Sequence, residues 1–344
     1  MRTIVVRPGP FRPVFRIGCF LVAALGFTLG CADTKSDSSG TNPTNEGPFK
    51  SLEAISNAPS TFSSPRAGAP LSDGSVVLIA TLESAPTEDA TDSGERVAIL
   101  KQSPGGAPPS VLYSGDALVN PLDLAVSLDG ETVYVADPSG GPDGSGAVST
   151  LSSSGGEPSV VLAGYRPRAI TVADDGRVYV SGVSNESGAP GVFELRGGTA
   201  VSVFEGAPLV DPSGIAVQAD GTVLVADTRL FDASADVSSE AGIVRIQGGK
   251  ASVFASGFAT GYPAGIALTR DEKTLIVSGE GPDRSDTVFL VDMSAPAQPP
   301  VAVTADFSRY QDASAGLKRA HDSNTFIWAS LAANGGTVFR IVAN

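Results

Sequence analysis

Cysteine, histidine and aromatic residues are all scarce in this 344-residue chain. The two cysteines, Cys19 and Cys31, lie near the N-terminus, so the 313 residues after Cys31 form no disulfide and depend on their core for stability. With His321 as the single histidine, Ser-His-Asp and Cys-His catalysis have no support, and we predict that this histidine is exposed in a turn. Aromatic residues make up 6% of the chain, too few for a surface that stacks sugars or nucleobases.

Basic residues are also in the minority. The chain has a formal net charge of −14, and four of its arginines precede residue 31 in a segment without acids. From residue 31 onwards, 19 basic residues therefore stand against 37 acidic ones, a net charge of −18. Because phosphate backbones are bound by basic stripes, nucleic acid is disfavoured as a partner.

Residues 1–30 have the pattern of an export signal. Four arginines lie in the first 16 residues, and an apolar run of 14 residues follows from Ile17 to Gly30. This run is too short to span about 30 Å of hydrocarbon as a helix. It ends in Thr28-Leu29-Gly30-Cys31, which resembles the lipobox of bacterial lipoproteins, although Thr28 stands where leucine is usual. The resemblance implies a lipid on Cys31, export to the cell envelope and, with Ala32 next, sorting to an outer membrane. The alternative is a secreted protein cut by ordinary signal peptidase, with Cys31 incidental.

A polar tether and one repetitive domain follow the export signal. Residues 31–47 are rich in Ser, Thr, Asn and Gly without apolar periodicity, which predicts a flexible tether. Residues 48–344 have apolar segments rich in Val, Thr and Ser, and the whole chain contains 40 glycines and 25 prolines. This composition is typical of an all-β domain with many turns.

One phrase recurs six times from Ser64 onwards, the last time in degenerate form. The copies are SPRAGAPLSDGSVVLIAT from Ser64, NPLDLAVSLDGETVYVAD from Asn120, RPRAITVADDGRVYVSG from Arg166, DPSGIAVQADGTVLVAD from Asp211, YPAGIALTRDEKTLIVSG from Tyr262 and DASAGLKRAHDSNTFIWAS from Asp312. The leading prolines are 56, 46, 45 and 51 residues apart, and the corresponding Ala313 follows 50 residues after the last of them. A repeat of this length is typical of propeller blades.

Each copy predicts a four-stranded blade. An apolar strand, a turn of the Asp-Gly type and a second strand rich in Val and Tyr are followed by a polar loop and two shorter strands. Six copies predict an all-β, six-bladed β-propeller. The sixth copy ends after three strands at GTVFRIVAN. We predict that residues 48–56 supply its fourth strand, because this closes the ring and removes an open edge.

The repeated phrase P-x-G-I-A-V-x-x-D-G-x-V-x-V-A-D resembles those of NHL and related TolB-like six-bladed propellers. This group includes the gluconolactonase and strictosidine-synthase-like families. The resemblance covers residues 48–344 and concerns the fold, because the matching residues build blades. It also implies where ligands bind: around the channel mouth, on the face formed by the loops into each first strand and the loops between second and third strands.

Polar residues in these loops are the candidate ligand-binding residues. They lie at or beside the leading proline position of each copy: Arg66, Asn120, Asp123, Arg166, Arg168, Asp211, Tyr262 and Asp312. The loops between second and third strands carry 15 of the 37 acids, so this face is expected to be negative. The arginines have two interpretations: they bind an anion, or each pairs with a neighbouring aspartate.

A divalent cation is the cofactor that the gluconolactonase resemblance implies, held by Glu, Asn or Asp side chains from several blades. The matching positions hold no acid or amide; they are Arg66, Leu122, Arg168, Ser213, Ala264 and Ser314. Asp123, one position later, is a single carboxylate. We therefore expect no cofactor, with Ca²⁺ or Mg²⁺ as the alternative.

Three acidic stretches present a separate possibility of calcium loops. Their carboxylates alternate with small residues at Asp137, Asp143, Asp227, Asp232 and Asp236. Solvated loops that keep the protein soluble are the simpler interpretation.

The repeats account for the whole fold, but the sequence contains no complete set of catalytic residues. This favours a non-catalytic, envelope-anchored propeller. Its expected partner is an unidentified protein or small molecule at the acidic channel face, and its membrane contact is the lipid on Cys31. The alternative is a metal-dependent lactonase or esterase with diverged ligands.

Overall fold

Every regular element in the described residues is a β-strand, and none of these residues forms a helix able to cross a membrane. The computed structural model describes residues 49–57, 62–82, 96–232, 237–238, 241–257, 259–261, 263–280, 286–303, 314–330 and 336–343. The predicted export signal, the tether and the lipid site at Cys31 lie outside these ranges and stay predictions.

The strands build six antiparallel sheets and one small hairpin. The first thirteen strands are β1 (Phe49–Asn57), β2 (Phe62–Pro70), β3 (Val76–Leu82), β4 (Arg96–Gln102), β5 (Ser110–Ser114), β6 (Asp123–Val126), β7 (Thr132–Asp137), β8 (Ala147–Ser152), β9 (Ser159–Ala163), β10 (Tyr165–Val172), β11 (Val178–Ser184), β12 (Pro190–Arg196) and β13 (Thr199–Glu205). The others are β14 (Pro212–Val217), β15 (Val223–Asp227), β16 (Phe231–Asp232), β17 (Val237–Ser238), β18 (Gly242–Gln247), β19 (Lys250–Ser256), β20 (Ala259–Thr260), β21 (Ile266–Leu268), β22 (Thr274–Glu280), β23 (Asp286–Asp292), β24 (Val301–Val303), β25 (Ser314–Arg319), β26 (Thr325–Ser330) and β27 (Thr337–Ala343).

The six sheets are the six predicted blades, and in the first five the strands follow chain order from the channel to the rim. Blades 1 to 4 are β2 to β5, β6 to β9, β10 to β13, and β14, β15, β18 and β19. In blade 5, β20 and β21 both pair with β22, so the innermost strand is interrupted, and β23 and β24 follow. Blade 6 consists of β25, β26, β27 and β1. The hairpin of β16 and β17 extends the loop between β15 and β18.

Asp-Gly turns fix the start of each second strand. In blade 1, the backbone N–H of Ser75 donates to the Asp73 carboxylate at 2.9 Å, and Gly74 has a φ of +80°. That φ is strained for residues with a Cβ but accessible to glycine. Asp129, Asp175 and Asp220 accept the backbone N–H two residues later in the same way. The predicted turn chemistry is thus confirmed in the first four blades.

The blades form a closed ring. The innermost strands contact their neighbours in the circular order β2, β6, β10, β14, β21, β25 and back to β2. A buried apolar cluster lies at each of the six interfaces between adjacent blades, including the one between blades 6 and 1. Burying both faces of each sheet against neighbours is what makes six individually unstable units into one domain. The six-bladed propeller predicted from the repeats is confirmed.

The ends of the ring are joined by β1. It pairs antiparallel with β27 along its whole length, from Phe49 opposite Ala343 to Asn57 opposite Thr337. Phe49 is buried with Trp328 and Phe339 in the cluster between blades 5 and 6. The predicted fourth strand of the last blade is therefore confirmed, with the strand running from residue 49 to residue 57.

Two faces of the ring are distinguished below. The upper face is the one on which the chain enters each innermost strand, through what we call the inlet loops, and it also holds the loops between second and third strands. The lower face holds the turns between first and second strands. Since strands alternate in direction, Thr337 lies at the upper end of β27 and Ala343 at the lower end. Consistent with this, the Ala343 backbone N–H donates to Asn324 O in the lower turn of blade 6 at 3.0 Å.

Candidate functional site

Aligned positions of the six innermost strands carry small residues with two charged exceptions. One set is Ala67, Asp123, Ala169, Gly214, Gly265 and Gly316, and the set two residues later is Ala69, Ala125, Thr171, Ala216, Ala267 and Lys318. The second set lines the channel. A Cβ on Gly214 would lie 2.5 Å from Ala264 O of the next blade, so the blades approach too closely for a larger side chain there. Asp123 and Lys318 are therefore unusual, because they place charged side chains at positions where the other blades have small residues.

The two exceptions form a buried ion pair across the channel. Lys318 Nζ lies 2.6 Å from Asp123 Oδ2 and donates to Ile170 O at 2.7 Å. The Ile170 N–H donates to the same Asp123 oxygen at 2.9 Å. The exposed fraction is 2% for Asp123 and 8% for Lys318. Burial raises the pKa of the Asp123 carboxyl, while Lys318 and the Ile170 N–H oppose this. Lys318 of blade 6 thereby contacts blade 2 through Asp123 and blade 3, on the opposite side of the ring, through Ile170 O.

The predicted arginines of the upper mouth each reach the inlet loop of the next blade. Arg66 Nη1 of blade 1 donates to Asn120 Oδ1 at 2.6 Å and to Pro121 O at 3.1 Å. Burial lowers the pKa of the Arg66 guanidinium from its ordinary value, and the negative charge of Asp137 opposes this shift. Arg168 of blade 3 forms an ion pair with Asp211 of blade 4. Arg168 thus has the aspartate partner of the second interpretation, whereas Arg66 bonds to an asparagine and a backbone carbonyl instead of an aspartate.

Asp211 joins a larger charged group on the upper face. Arg229 Nη2 lies 3.8 Å from Asp211 Oδ2, and Thr228 Oγ1 donates to that oxygen at 2.8 Å. The side chain of Arg229 is 59% exposed, which leaves its guanidinium accessible at the rim. Arg166 is exposed at the start of β10. The upper rim of blades 3 and 4 thus presents arginines beside a shared aspartate.

Two of the predicted calcium ligands hold inlet loops instead. Asp137, at the end of β7, accepts the N–H groups of Val119, Asn120 and Ser139 at 2.7 to 3.1 Å. Asp227, at the end of β15, accepts those of Val210, Asp211 and Arg229 at 2.8 to 2.9 Å. Burial raises the pKa of Asp227 to about 6, against the effect of these donors. Both carboxylates connect the second strand of a blade to the loop that enters its first strand.

The remaining predicted residues are spread more widely. Asp143 is exposed in the loop between β7 and β8, and the backbone of Asp232 lies in β16. Tyr262, Asp312 and Asp236 lie outside the described residues. Within those residues, no three His, Cys, Asp or Glu side chains gather closely enough to hold a metal ion. The calcium-loop hypothesis stays a prediction, now without free carboxylates on Asp137 and Asp227.

A small chamber opens at the lower end of the channel, below the Asp123–Lys318 pair. Its volume is about 60 Å³, and the lower ends of all six innermost strands line it. Arg319 Nη2 donates to both carboxylate oxygens of Asp174 at 3.0 Å, and His321 Nε2 lies 3.0 Å from Val126 O. His321 lies in the turn between β25 and β26 as predicted, but its side chain is only 27% exposed and lines the chamber. The charged side chains that line the chamber are already paired, and the volume of the chamber admits only a few non-hydrogen atoms.

Solved structures share this architecture at low sequence identity. A gluconolactonase from Xanthomonas campestris superposes with a TM-score of 0.55 at 14% identity, covering 85% of this chain and 89% of that one. A catalytically inactive virginiamycin B lyase from Staphylococcus aureus, solved with quinupristin, gives 0.50 at 14% identity, covering 86% and 99%. No protein-family model and no curated protein matches the chain. At this identity the similarity shows the six-bladed propeller fold alone.

The positions matched to metal ligands do not fit a metal site in this chain. Leu122 and Ala264 are buried, and Ser213 is fully buried with its hydroxyl directed at Ala226 O, 3.4 Å away on the adjacent strand. Arg168 and Arg66 bring positive charge to the mouth, and Asp123 is already neutralised by an ammonium group. A divalent cation prefers several oxygen ligands, several of them carboxylates. None of the described residues at these positions is a carboxylate, and the charge of the nearby Asp123 is balanced by Lys318.

Proposed function

We propose that the chain is an envelope-anchored, non-catalytic propeller whose upper face binds a partner protein or small ligand of positive charge. The single observation that carries the non-catalytic part is the Asp123–Lys318 pair. A metal-dependent hydrolase needs several oxygen ligands from several blades, whereas this chain places one carboxylate near the matched positions and pairs its Oδ2 with Lys318 Nζ at 2.6 Å. A buried carboxylate engaged in this way is held as a structural group.

We infer a positively charged ligand from the excess of acidic residues in the upper loops. The loops between second and third strands carry 15 acids, and the chain from residue 31 has a net charge of −18. Two of these acids, Asp137 and Asp227, are used internally, whereas Asp143 and Glu186 are exposed. A face with surplus negative charge concentrates cations near it and repels anions. The envelope anchoring rests on the lipobox-like sequence that ends at Cys31.

A charged probe tests the binding part of the proposal. We expect a deca-lysine peptide to bind the chain, measured by fluorescence anisotropy, and to bind more weakly as salt rises from 50 to 200 mM. Replacing Glu88, Asp89, Asp92 and Glu95, which lie between β3 and β4 in the sequence, with their amides should weaken binding several-fold. The matched control replaces the lower-turn acids Asp129, Glu131, Asp220 and Asp271 in the same way and should leave affinity nearly unchanged. Equal losses in both variants would contradict a specific role for the upper face.

The second candidate is a hydrolase of the gluconolactonase kind, favoured by the similarity of fold to a gluconolactonase structure. A screen of lactones and aryl esters, with Mg²⁺, Ca²⁺ or Zn²⁺ added to chelator-treated protein, separates the two. We expect no turnover above that of the buffer with metal, because the required carboxylates are absent from the matched positions. Metal-dependent turnover that disappears in Asp123→Asn but survives in Lys273→Met would overturn our choice.

A further inference from the structure

We infer that the lower face is the one that rests towards the lipid bilayer, so that the upper mouth points away from it. This inference rests on the proposed lipid attachment at Cys31. It concerns which surface of the propeller meets the headgroups, and it follows from three observations: the place where the chain enters the ring, the length of the segment before it, and the distribution of charge between the two faces.

The chain enters the propeller at its lower edge. Phe49, the first residue of β1, lies opposite Ala343, and Ala343 in turn hydrogen-bonds to the lower turn of blade 6. Arg340, three residues before Ala343, donates to Gly74 O in the lower turn of blade 1 at 2.8 Å. From this point β1 runs upwards to Asn57. Whatever precedes Phe49 is therefore joined to the ring at the lower face.

The length of the tether favours the same orientation. Seventeen residues separate the export signal from Pro48, and a flexible chain of that length has a root-mean-square span of about 23 Å. Strands of five to nine residues give the propeller a height of about 16 to 30 Å. To turn the upper mouth to the bilayer, the tether would have to pass this height and still reach the lipid. Passing this height takes up as much as half of the roughly 60 Å that 17 extended residues can span, which leaves less of the tether to reach the lipid and allows it fewer conformations.

Part of the charge on the lower face is paired. Five of its acids form ion pairs with basic side chains of the same face: Asp73 with Lys101, Asp175 with Arg177, Glu194 with Arg196, Asp271 with Lys273, and Asp174 with Arg319. The upper loops instead carry the surplus of acid. Bacterial membrane surfaces that contain anionic lipids repel a negative face and tolerate a balanced one. The distribution of charge and the place where the chain enters the ring therefore both favour the lower face as the one that meets the bilayer.

The absence of cysteine from residues 32–344 provides a direct test. The full chain, expressed with its own export segment, is reconstituted in phosphatidylethanolamine–phosphatidylglycerol vesicles that contain headgroup nitroxide lipid. A fluorophore is placed through Lys273→Cys or Glu131→Cys on the lower face, and through Asp143→Cys or Glu186→Cys on the upper face, all exposed positions. We expect quenching by the nitroxide lipid to be at least about threefold greater at the two lower positions. Cys31→Ser chains with the same labels should show no quenching at any position.

The outcomes separate this inference from the proposed anchoring. Mass spectrometry of the N-terminal peptide reports whether Cys31 carries acyl chains. An acylated chain with equal quenching on both faces, or stronger quenching on the upper face, overturns the orientation while leaving the anchoring intact. A chain without acyl groups overturns both. Lower-face quenching in an acylated chain supports both.

Discussion

Deletion of residues 48–57 should lower the melting temperature of the protein by on the order of 10 °C. The deletion removes the whole of β1, exposes the edge of β27 from Thr337 to Ala343, and takes the buried Phe49 ring out of the cluster between blades 5 and 6. Burying one phenylalanine is worth about 1.5 to 3 kcal/mol, and the lost strand pairing and the contact of Ile55 with blade 1 add to this. A loss of about 5 kcal/mol corresponds to a shift of this size in a domain of this length.

The matched control deletes ten residues of the predicted tether, 36–45, from the same chain. Circular dichroism melts of the two deletion variants and the parent should then separate the loss of β1 from the loss of chain length. We expect the tether deletion to melt with the parent, and Phe49→Ala to lose part of the stability, about 3 kcal/mol. Parent-like melting of the 48–57 deletion would mean that ring closure by β1 contributes little to stability.

The blades could be predicted from the sequence because they are built from short-range signals repeated six times. An apolar strand, an Asp-Gly turn and a second apolar strand can each be predicted from neighbouring residues alone. Their repetition at blade-length spacing predicts the propeller architecture. The closing strand could be predicted by elimination, since the sixth repeat ends one strand short and residues 48–56 had no other repeat to join. These arguments needed no knowledge of which side chains meet.

The contacts of the site could not be predicted in the same way, since they join residues far apart in the chain. Arg66 and Asn120 are 54 residues apart, and Lys318 and Asp123 are 195 apart. A signal for the second pair was nevertheless present. When the repeats are aligned, Asp123 stands where the others have glycine or alanine, and Lys318 stands where they have alanine or threonine. The two sets of aligned positions lie next to each other along the channel and otherwise hold small residues. One acidic and one basic residue in these sets therefore predict an ion pair across the channel. Similarly, the repeated Val-Ala-Asp at the ends of β7 and β15 was a signal for loop-holding carboxylates rather than for metal ligands.

Lys318→Met should destabilise the protein by about 3 to 5 kcal/mol, because it leaves the Asp123 carboxylate buried without a counter-charge. The methionine is of similar length and keeps the channel filled, so the loss reports charge rather than volume. The double variant Asp123→Leu/Lys318→Met should recover most of the loss, since replacing both members of a buried pair by apolar groups is often neutral. Urea unfolding at pH 7 measures all three. The control is Lys273→Met, which breaks a pair whose lysine side chain is 81% exposed, and we expect no measurable change there.

The pH dependence of the single variant provides an independent check on the same pair. Burial raises the pKa of the Asp123 carboxyl in the folded state, and removing Lys318 removes the strongest opposing influence. A folded-state pKa above the unfolded one means that the folded chain binds a proton that the unfolded chain has released. The free energy of unfolding of Lys318→Met should therefore increase as pH falls from 7 to 5, relative to that of the double variant, which has no carboxyl at this position. If the two variants instead lose stability in parallel over this range, Asp123 has found another partner or has reached solvent, and its burial does not depend on the ion pair with Lys318.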